Sequence, residues 1–476
     1  MALLNVFQSG KSGMTTAKAG IATAGHNISN ANTEGFSRQR IQSEANVTQQ
    51  TAGHGGPYVG NGSKVSSIDR INDQYLEKQL REGTRDLSYH EEKQVALNQV
   101  EDVFNEMNGD GLNRMMSKFF NDFRKLSNDP TSEAVRQSVR ESSQSMIGDF
   151  KRLHSETDAI RAHVDSRIDG YMKELNQYAD EVKELNVRIH QAELQENSAN
   201  DLQDRRDMVL KKMSGLVDLS VHKETSNGMV TVEIKGVGPI VTGPTADRFF
   251  VNRAPADPDS GSPVNSLQIT RSPYSNEHIT SQFQGGKIGA LIEARDKTIG
   301  GTMDKLDQLA FSVATAVNEI HSQGYTLDGQ TGINFFKDID SATGAAQRLA
   351  LSDHVLNSTA NIASGLQPES PGDNRNALAI ANLQNGRFLN GGKTTVDDFY
   401  NSIVSDIGVT NSRNTESLAQ TKNILTQLEK VREQVSGVSI DEETTNLMQF
   451  QHAFDASARV IKVADEMLDT VLKLRG

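Results

Sequence analysis

Along the first thirty residues Phe7, Met14, Ile21 and Ile28 fall seven apart, and Leu3, Gly10, Ala17, Ala24 and Ala31 form a second seam beside them. That spacing predicts a heptad helix with one apolar seam and one seam of small residues, the kind that lets another helix backbone come close. Gly10, Gly13, Gly20 and Gly25 each cost about 1 kcal/mol of helix propensity relative to alanine, so the helix is expected to depend on partners. At the other end Leu447, Phe454, Ile461 and Leu468 repeat the period, with Phe450, Ala464 and Val471 alongside and Ser457 as the polar break. Two such segments can pair with each other, with other subunits or with both; packing of each on an ordinary core is the plainer alternative.

After the first helix, "ISNANTEGFSRQR" supplies turn residues at Asn32, Thr33 and Gly35. Phe36, Ile41 and Val47 then alternate loosely with polar residues and predict an extended segment before the glycine-rich "GHGGPYVGNGSK". Residues 70–107 and 131–196 are expected to be helical. In the second stretch Ile160, Val164, Ile168, Tyr171, Leu175, Tyr178, Val182, Leu185, Ile189 and Ala192 make one long stripe. A helix over 150–196 would be about 70 Å long, which predicts an elongated molecule. The period then drops to two, with Val217, Leu219 and Val221, a turn at Asn227-Gly228, and Val230, Val232 and Ile234, a β-hairpin pattern. Helical periodicity resumes near Gly285, gives way to loop over 324–340 and a mixed stretch to about 365, and returns near Asn374 and Thr394.

The resulting fold class is mainly α with an inserted small β domain, an α+β multidomain chain. The expected divisions are 1–42 with 435–476 as a terminal assembly domain, 43–215 with 284–434 as an elongated helical domain, and 216–283 as the β-rich insertion. A length of 476 residues agrees with more than one core.

Composition narrows the function. A net charge of −13 opposes nucleic acid and anionic lipid. No apolar run reaches the ~18 residues of a membrane span, so membrane insertion is not expected. The first twenty residues do not read as a secretory leader. With no cysteine there is neither disulfide nor thiolate chemistry. Gly10-Lys11-Ser12 lacks the earlier glycine of a phosphate loop, where Asn5 stands. His26, His54, His154 and His163 show no metal-ligand spacing, and no GxSxG elbow is present. No catalytic, cofactor or metal residue is nominated, and the chain is not expected to be an enzyme. A secreted coiled-coil effector or adhesin would share the acidic helical composition but would not need matched heptads at both ends, and a peptidoglycan hydrolase fused to such ends would need a carboxylate or metal site in the middle, where none is visible.

"HNISNANTEGFSRQR" after a heptad helix, and "VSGVSIDEETTNLMQFQHAFDASARVIKVADEMLDTVLKL" near the end, resemble the bacterial flagellar axial family of rod, hook and junction proteins. Within the signature Asn30, Ala31, Asn32, Thr33, Gly35, Phe36, Ser37, Arg38 and Gln39, the Ser37-Arg38-Gln39 ending points to the junction-forming members, as do "NDLQDRRDMVL" at 200–210, "GDNRNALAIANLQN" at 372–385 and "VSGVSIDEE" at 435–443. A rod or hook protein is the nearest alternative. Members often carry a further domain near 342–367, where this chain has a short connection.

The resemblance implies a structural protein that leaves the cell through the flagellar type III export channel and polymerises between hook and filament. Its implied partners are further copies of itself, the hook protein, a second junction protein, and an export chaperone at the C-terminal helix. The implied subunit-assembly residues are Leu3, Phe7, Met14, Ala17, Ile21, Ala24, Ile28, Leu447, Phe450, Phe454, Ile461, Ala464, Leu468 and Val471.

Overall fold

The computed structural model describes residues 2–46, 49–50, 58–105, 111–195, 198–224, 228–253, 267–274 and 278–473. Val47, His54, Asn227 and the proline-rich 254–266 therefore lie outside the described residues.

Helix α1 (Ala2–Ser29) leads into β1 (Gln39–Ala45), the two-residue β2 (Gln49–Gln50) and β3 (Tyr58–Val59), and β4 (Ser63–Arg70). Three helices follow, α2 (Gln74–Phe104), α3 (Leu112–Asn128) and α4 (Glu133–Leu194), and then α5 (Asn200–Leu216). Strands β5 (Leu219–Lys223), β6 (Val230–Ile234), β7 (Gly238–Thr242), β8 (Thr245–Ala246), β9 (Phe250–Arg253) and β10 (Leu267–Thr270) precede α6 (Gly286–Glu293). A π-helical stretch, Ala294–Ile299, joins α6 to α7 (Gly300–His321). The chain closes with α8 (Ala345–Arg348), α9 (Asp353–Asn357), α10 (Arg375–Asn382), α11 (Val396–Ser436) and α12 (Ile440–Lys473).

These elements form two units, 1–87 with 174–248 and 421–476, and 88–173 with 249–420. The division differs from the expected one: the stretch 216–283 is split at Arg248, and the terminal helices share their unit with β1, β4, α5 and the four-stranded sheet.

In the first unit β1 pairs antiparallel with β4 across a bulge between Gln42 and Ser43. Strands β5 to β8 form an antiparallel meander in chain order, with Val221 opposite Val232. Val230, Val232 and Ile234 point inward from β6 and are buried, as the alternation predicts. The amide of Asn186 on α4 clips the sheet, donating to the carbonyls of Val230 at 2.9 Å and Gly243 at 2.8 Å. Leu76, Leu80 and Leu425 make a small apolar cluster between α2 and α11.

The second unit is organised by α3, which buries Leu112, Met116, Phe119, Phe120, Phe123 and Leu126 on one face. Its rings meet a downstream loop, with Phe123 edge-on to Phe335 at 5.4 Å and Phe335 against Phe336 at 4.9 Å. His321, fully buried at the end of α7, ties that loop down. Its Nε2 accepts the N–H of Ala363 at 2.8 Å, which leaves Nδ1 to donate to the carbonyl of Ile333 at 2.7 Å. Burial holds its pKa down to about 4. The short connection at 342–367 is held by Asp307, which accepts from the N–H groups of Gly344 and Ala346, and by the buried Arg136, which donates to Ile362 O at 2.6 Å.

Helix α4 is a single run of 62 residues, about 93 Å of helix. Its stripe is buried at Val164, Ile168, Leu175, Val182, Leu185 and Ile189, while Met172 and Ala179, not Tyr171 and Tyr178, complete it. Both tyrosines turn their hydroxyls to carboxylates, Tyr171 to Glu92 and Tyr178 to Glu174.

Candidate functional site: the terminal helix pair and its joint

Helix α1 runs antiparallel along α12, and the glycines of α1 set the distance. A Cβ on Gly10 would stand 2.8 Å from Ile461 Cγ1, one on Gly13 2.7 Å from Ser457 Oγ, and one on Gly20 2.5 Å from Phe450 Cδ1. Those separations are below van der Waals contact, so only glycine lets the two helices approach this closely. Three of the four glycines that weaken the helix alone, Gly10, Gly13 and Gly20, are thus part of its contact surface. Ser457, the polar break in the C-terminal heptad, lies against Gly13, where a small residue fits.

Helix α12 begins at a natural start. Ser439 precedes it, and Asp441, Glu442 and Glu443 fill its first turn, where negative charge meets the positive end of the helix dipole.

The expected assembly residues fall into distinct groups. Ala17, Ala24 and Ala464 are buried within the single chain and so are covered before any second copy arrives. Met14, Ile21, Ile28, Leu447, Phe450, Phe454 and Ile461 are half-buried. Phe7, Leu468 and Val471 are 40%, 36% and 50% exposed. Leu3 lies in α1, but its side chain is outside the described residues. A further row, Val460, Val463, Met467 and Val471, stays exposed along α12. Its three- and four-residue spacing was present in the sequence, one step away from the heptad seam, and only Val471 was nominated.

Where α1 ends, three motifs far apart in sequence come together. Gly35 turns the chain at φ +82°, and a Cβ there would stand 3.3 Å from Met208 Cε, so both conformation and space favour glycine. Ahead of it Thr33 Oγ1 donates to Asn30 Oδ1 at 3.2 Å, and behind it the Phe36 ring meets His26 edge-on at 5.4 Å. Ala31 is half-buried and Asn32 exposed.

The next three residues reach outward to other elements. The Ser37 N–H donates to Asp204 Oδ2 at 3.0 Å. Arg38 donates from Nε to Glu443 Oε1 at 2.8 Å and from Nη1 to Glu442 Oε2 at 2.7 Å, while its own N–H meets Ser436 O at 2.9 Å. Gln39 donates from Nε2 to Asp201 Oδ1 at 2.8 Å.

Buried Asn27 brackets the backbone of Gln39, giving Nδ2–H to its carbonyl at 2.8 Å and taking its N–H on Oδ1 at 3.0 Å. Arg70 closes the far side, with Nη1 2.6 Å from Asp204 Oδ1 and 2.8 Å from Asp207 Oδ2. Burial pushes the Asp204 carboxyl up, against the pull of Arg70 and the Ser37 N–H. Arg432 adds a bond from Nη2 to Gly35 O at 3.2 Å.

Asn27, Arg70 and Arg432 were not anticipated, because lone polar residues carry no periodic signal. The cluster is a polar joint, with every charged group answered by a partner. Among the described residues no group of three His, Cys, Asp or Glu side chains could hold a metal ion.

The chain matches the family described as "Flagellar hook-associated protein FlgK helical domain" over residues 97–336, half of its length. Residues 433–474 match "Flagellar basal body rod FlgEFG protein C-terminal". It is 29% identical to flagellar hook-associated protein 1 of Bacillus subtilis, over 97% of this chain and 96% of the relative. It is 25% identical to the protein of that name from Escherichia coli, over 98% of each. The solved flagellar hook junction protein FlgK of Burkholderia pseudomallei shares the fold, with a TM-score of 0.66 at 15% identity, covering 75% of this chain and all of that one. With half the chain matched by the helical-domain family and nearly all of it aligned to these relatives, the chain belongs to the FlgK family of flagellar hook-associated proteins.

Proposed function

We propose that the chain is a structural subunit of the bacterial flagellum that polymerises at the hook–filament junction and connects hook to filament. The observation that carries this reading is the uncovered apolar surface on the terminal pair: Val6 and Phe7 on α1, and the row Val460, Val463, Met467 and Val471 on α12. Exposed apolar side chains grouped along a helix face mark a surface that is dry in an assembly. The role needs no catalytic step. The partners are neighbouring copies, hook protein on one side and a second junction protein on the other. Before assembly an export chaperone covers the C-terminal helix, and the chain travels through the flagellar type III channel to the cell exterior. A rod or hook protein would share the C-terminal match, but the longer match, over 97–336, favours the hook-associated branch.

Cells lacking the chain test the reading by electron microscopy. Hooks without filaments, and filament protein shed into the medium, are expected; normal filaments on the deletion strain would refute it.

A further inference from the structure

A cleft of about 310 Å³ in the first unit has one wall formed by Lys78, Arg81, Glu82 and Arg85, which share a face of α2 at helical spacing. Asp218 and Lys235 line the other wall, beside β5. Four permanent cations thus face two carboxylates, within a chain of net charge −13. Asp218 is already engaged, accepting from Arg85 Nη1 at 2.8 Å and Lys235 Nζ at 3.0 Å.

Arg81 is different. It is half-buried and makes no hydrogen bond or ion pair among the described residues. The carboxylates that act on it through space are Asp207, Glu77 and the neighbouring Glu82. Two of these are taken, Asp207 by Arg70 and Glu77 by Arg432. Lys78 likewise has no hydrogen-bond or ion-pair partner among the described residues.

A guanidinium drawn partly out of water without an acceptor costs stability. Arg81 and Lys78 together offer a planar fork of donors and a mobile point charge, the complement of an oxyanion. We propose that this cleft binds a free oxyanion of the phosphate class, with Arg81 as its principal donor and Lys78 flanking it. The proposal is independent of the flagellar reading.

Thermal unfolding of the full chain in potassium phosphate, against potassium chloride at equal ionic strength, tests it together with Arg81→Met and Lys78→Gln. Phosphate is expected to raise the melting temperature of the unaltered chain saturably, by about 2–4 °C. Arg81→Met should melt higher than the unaltered chain in chloride, because an unanswered charge is gone, and should lose the phosphate response. Lys78→Gln should weaken half-saturation several-fold. If phosphate has no effect but Arg81→Met weakens self-association in sedimentation at least tenfold, the cleft is a subunit contact and not an oxyanion site. An Arg81→Met chain that melts lower in chloride, or absence of the phosphate response, overturns the proposal.

Discussion

Asn27 and Glu443 are 416 positions apart in the chain, yet the Asn27 side-chain amide donates to Glu443 Oε2 at 3.0 Å, with both residues buried. The same amide brackets Gln39, so one side chain fixes the end of α1, the start of β1 and the first turn of α12. Asn27→Ala removes three hydrogen bonds and leaves buried partners unanswered. A loss of about 2–4 kcal/mol is expected, read as earlier melting and faster proteolysis of both termini. Unchanged protection would mean that the joint does not hold the pair.

The glycines of α1 separate packing from propensity. Gly25 has nothing within 4 Å of a built Cβ, so Gly25→Ala should stabilise the chain by about 1 kcal/mol. Gly20→Ala gains the same propensity but drives a methyl into the Phe450 ring, an overpacking cost of about 1–3 kcal/mol, and should be neutral to destabilising. Hydrogen exchange across α12 distinguishes them: Gly20→Ala should lower its protection and Gly25→Ala should not.

Assembly is tested where the apolar surface is open. Phe7 is 40% exposed, so Phe7→Asp should cost the monomer only about 1–2 kcal/mol. In a dry subunit contact the same carboxylate costs several kcal/mol, so filaments and motility should be lost while export continues. Ile21→Asp is a poorer probe, since Ile21 is already half-buried in the single chain. Full motility of Phe7→Asp secreted at normal levels would remove the N-terminal end of α1 from the proposed interface.

His321 gives the second unit a pH dependence of known sign. Its folded pKa, near 4, is below the ordinary value of 6.5, so the unfolded chain binds the proton first as pH falls. The contribution is therefore fully present above pH 6.5 and is lost between 6.5 and about 4, amounting to about 3 kcal/mol. Urea unfolding of the full chain across that range should show the decline, and His321→Gln should be less stable at pH 7 but flatter with pH.

Period made the terminal helices and the β5–β6 hairpin legible, because each carries its apolar residues at one regular spacing. Helix α3 carried an equally clear pattern in Leu112, Met116, Phe119, Phe123 and Leu126, yet it went unassigned between two longer charged stretches. Strand β4 was hidden for a physical reason: it offers only Val65 and Ile68 as apolar residues, and its own extra residue, Ser66, breaks strict alternation between them. The joint is a different case. Its residues were quoted as three family motifs, but nothing in their spacing said that Ser37 would meet Asp204 or that Arg38 would meet Glu443. Hydrogen bonds between single polar residues hundreds of positions apart leave no repeat to read.

A heptad seam is satisfied again after a slip of seven residues, about 10 Å of travel, so greasy contact alone would let α1 creep along α12 under tension. Asn27 meets both Gln39 and Glu443 at one setting only. The polar end of the pair thus sets its register, as a pin sets the extension of a telescoping rod.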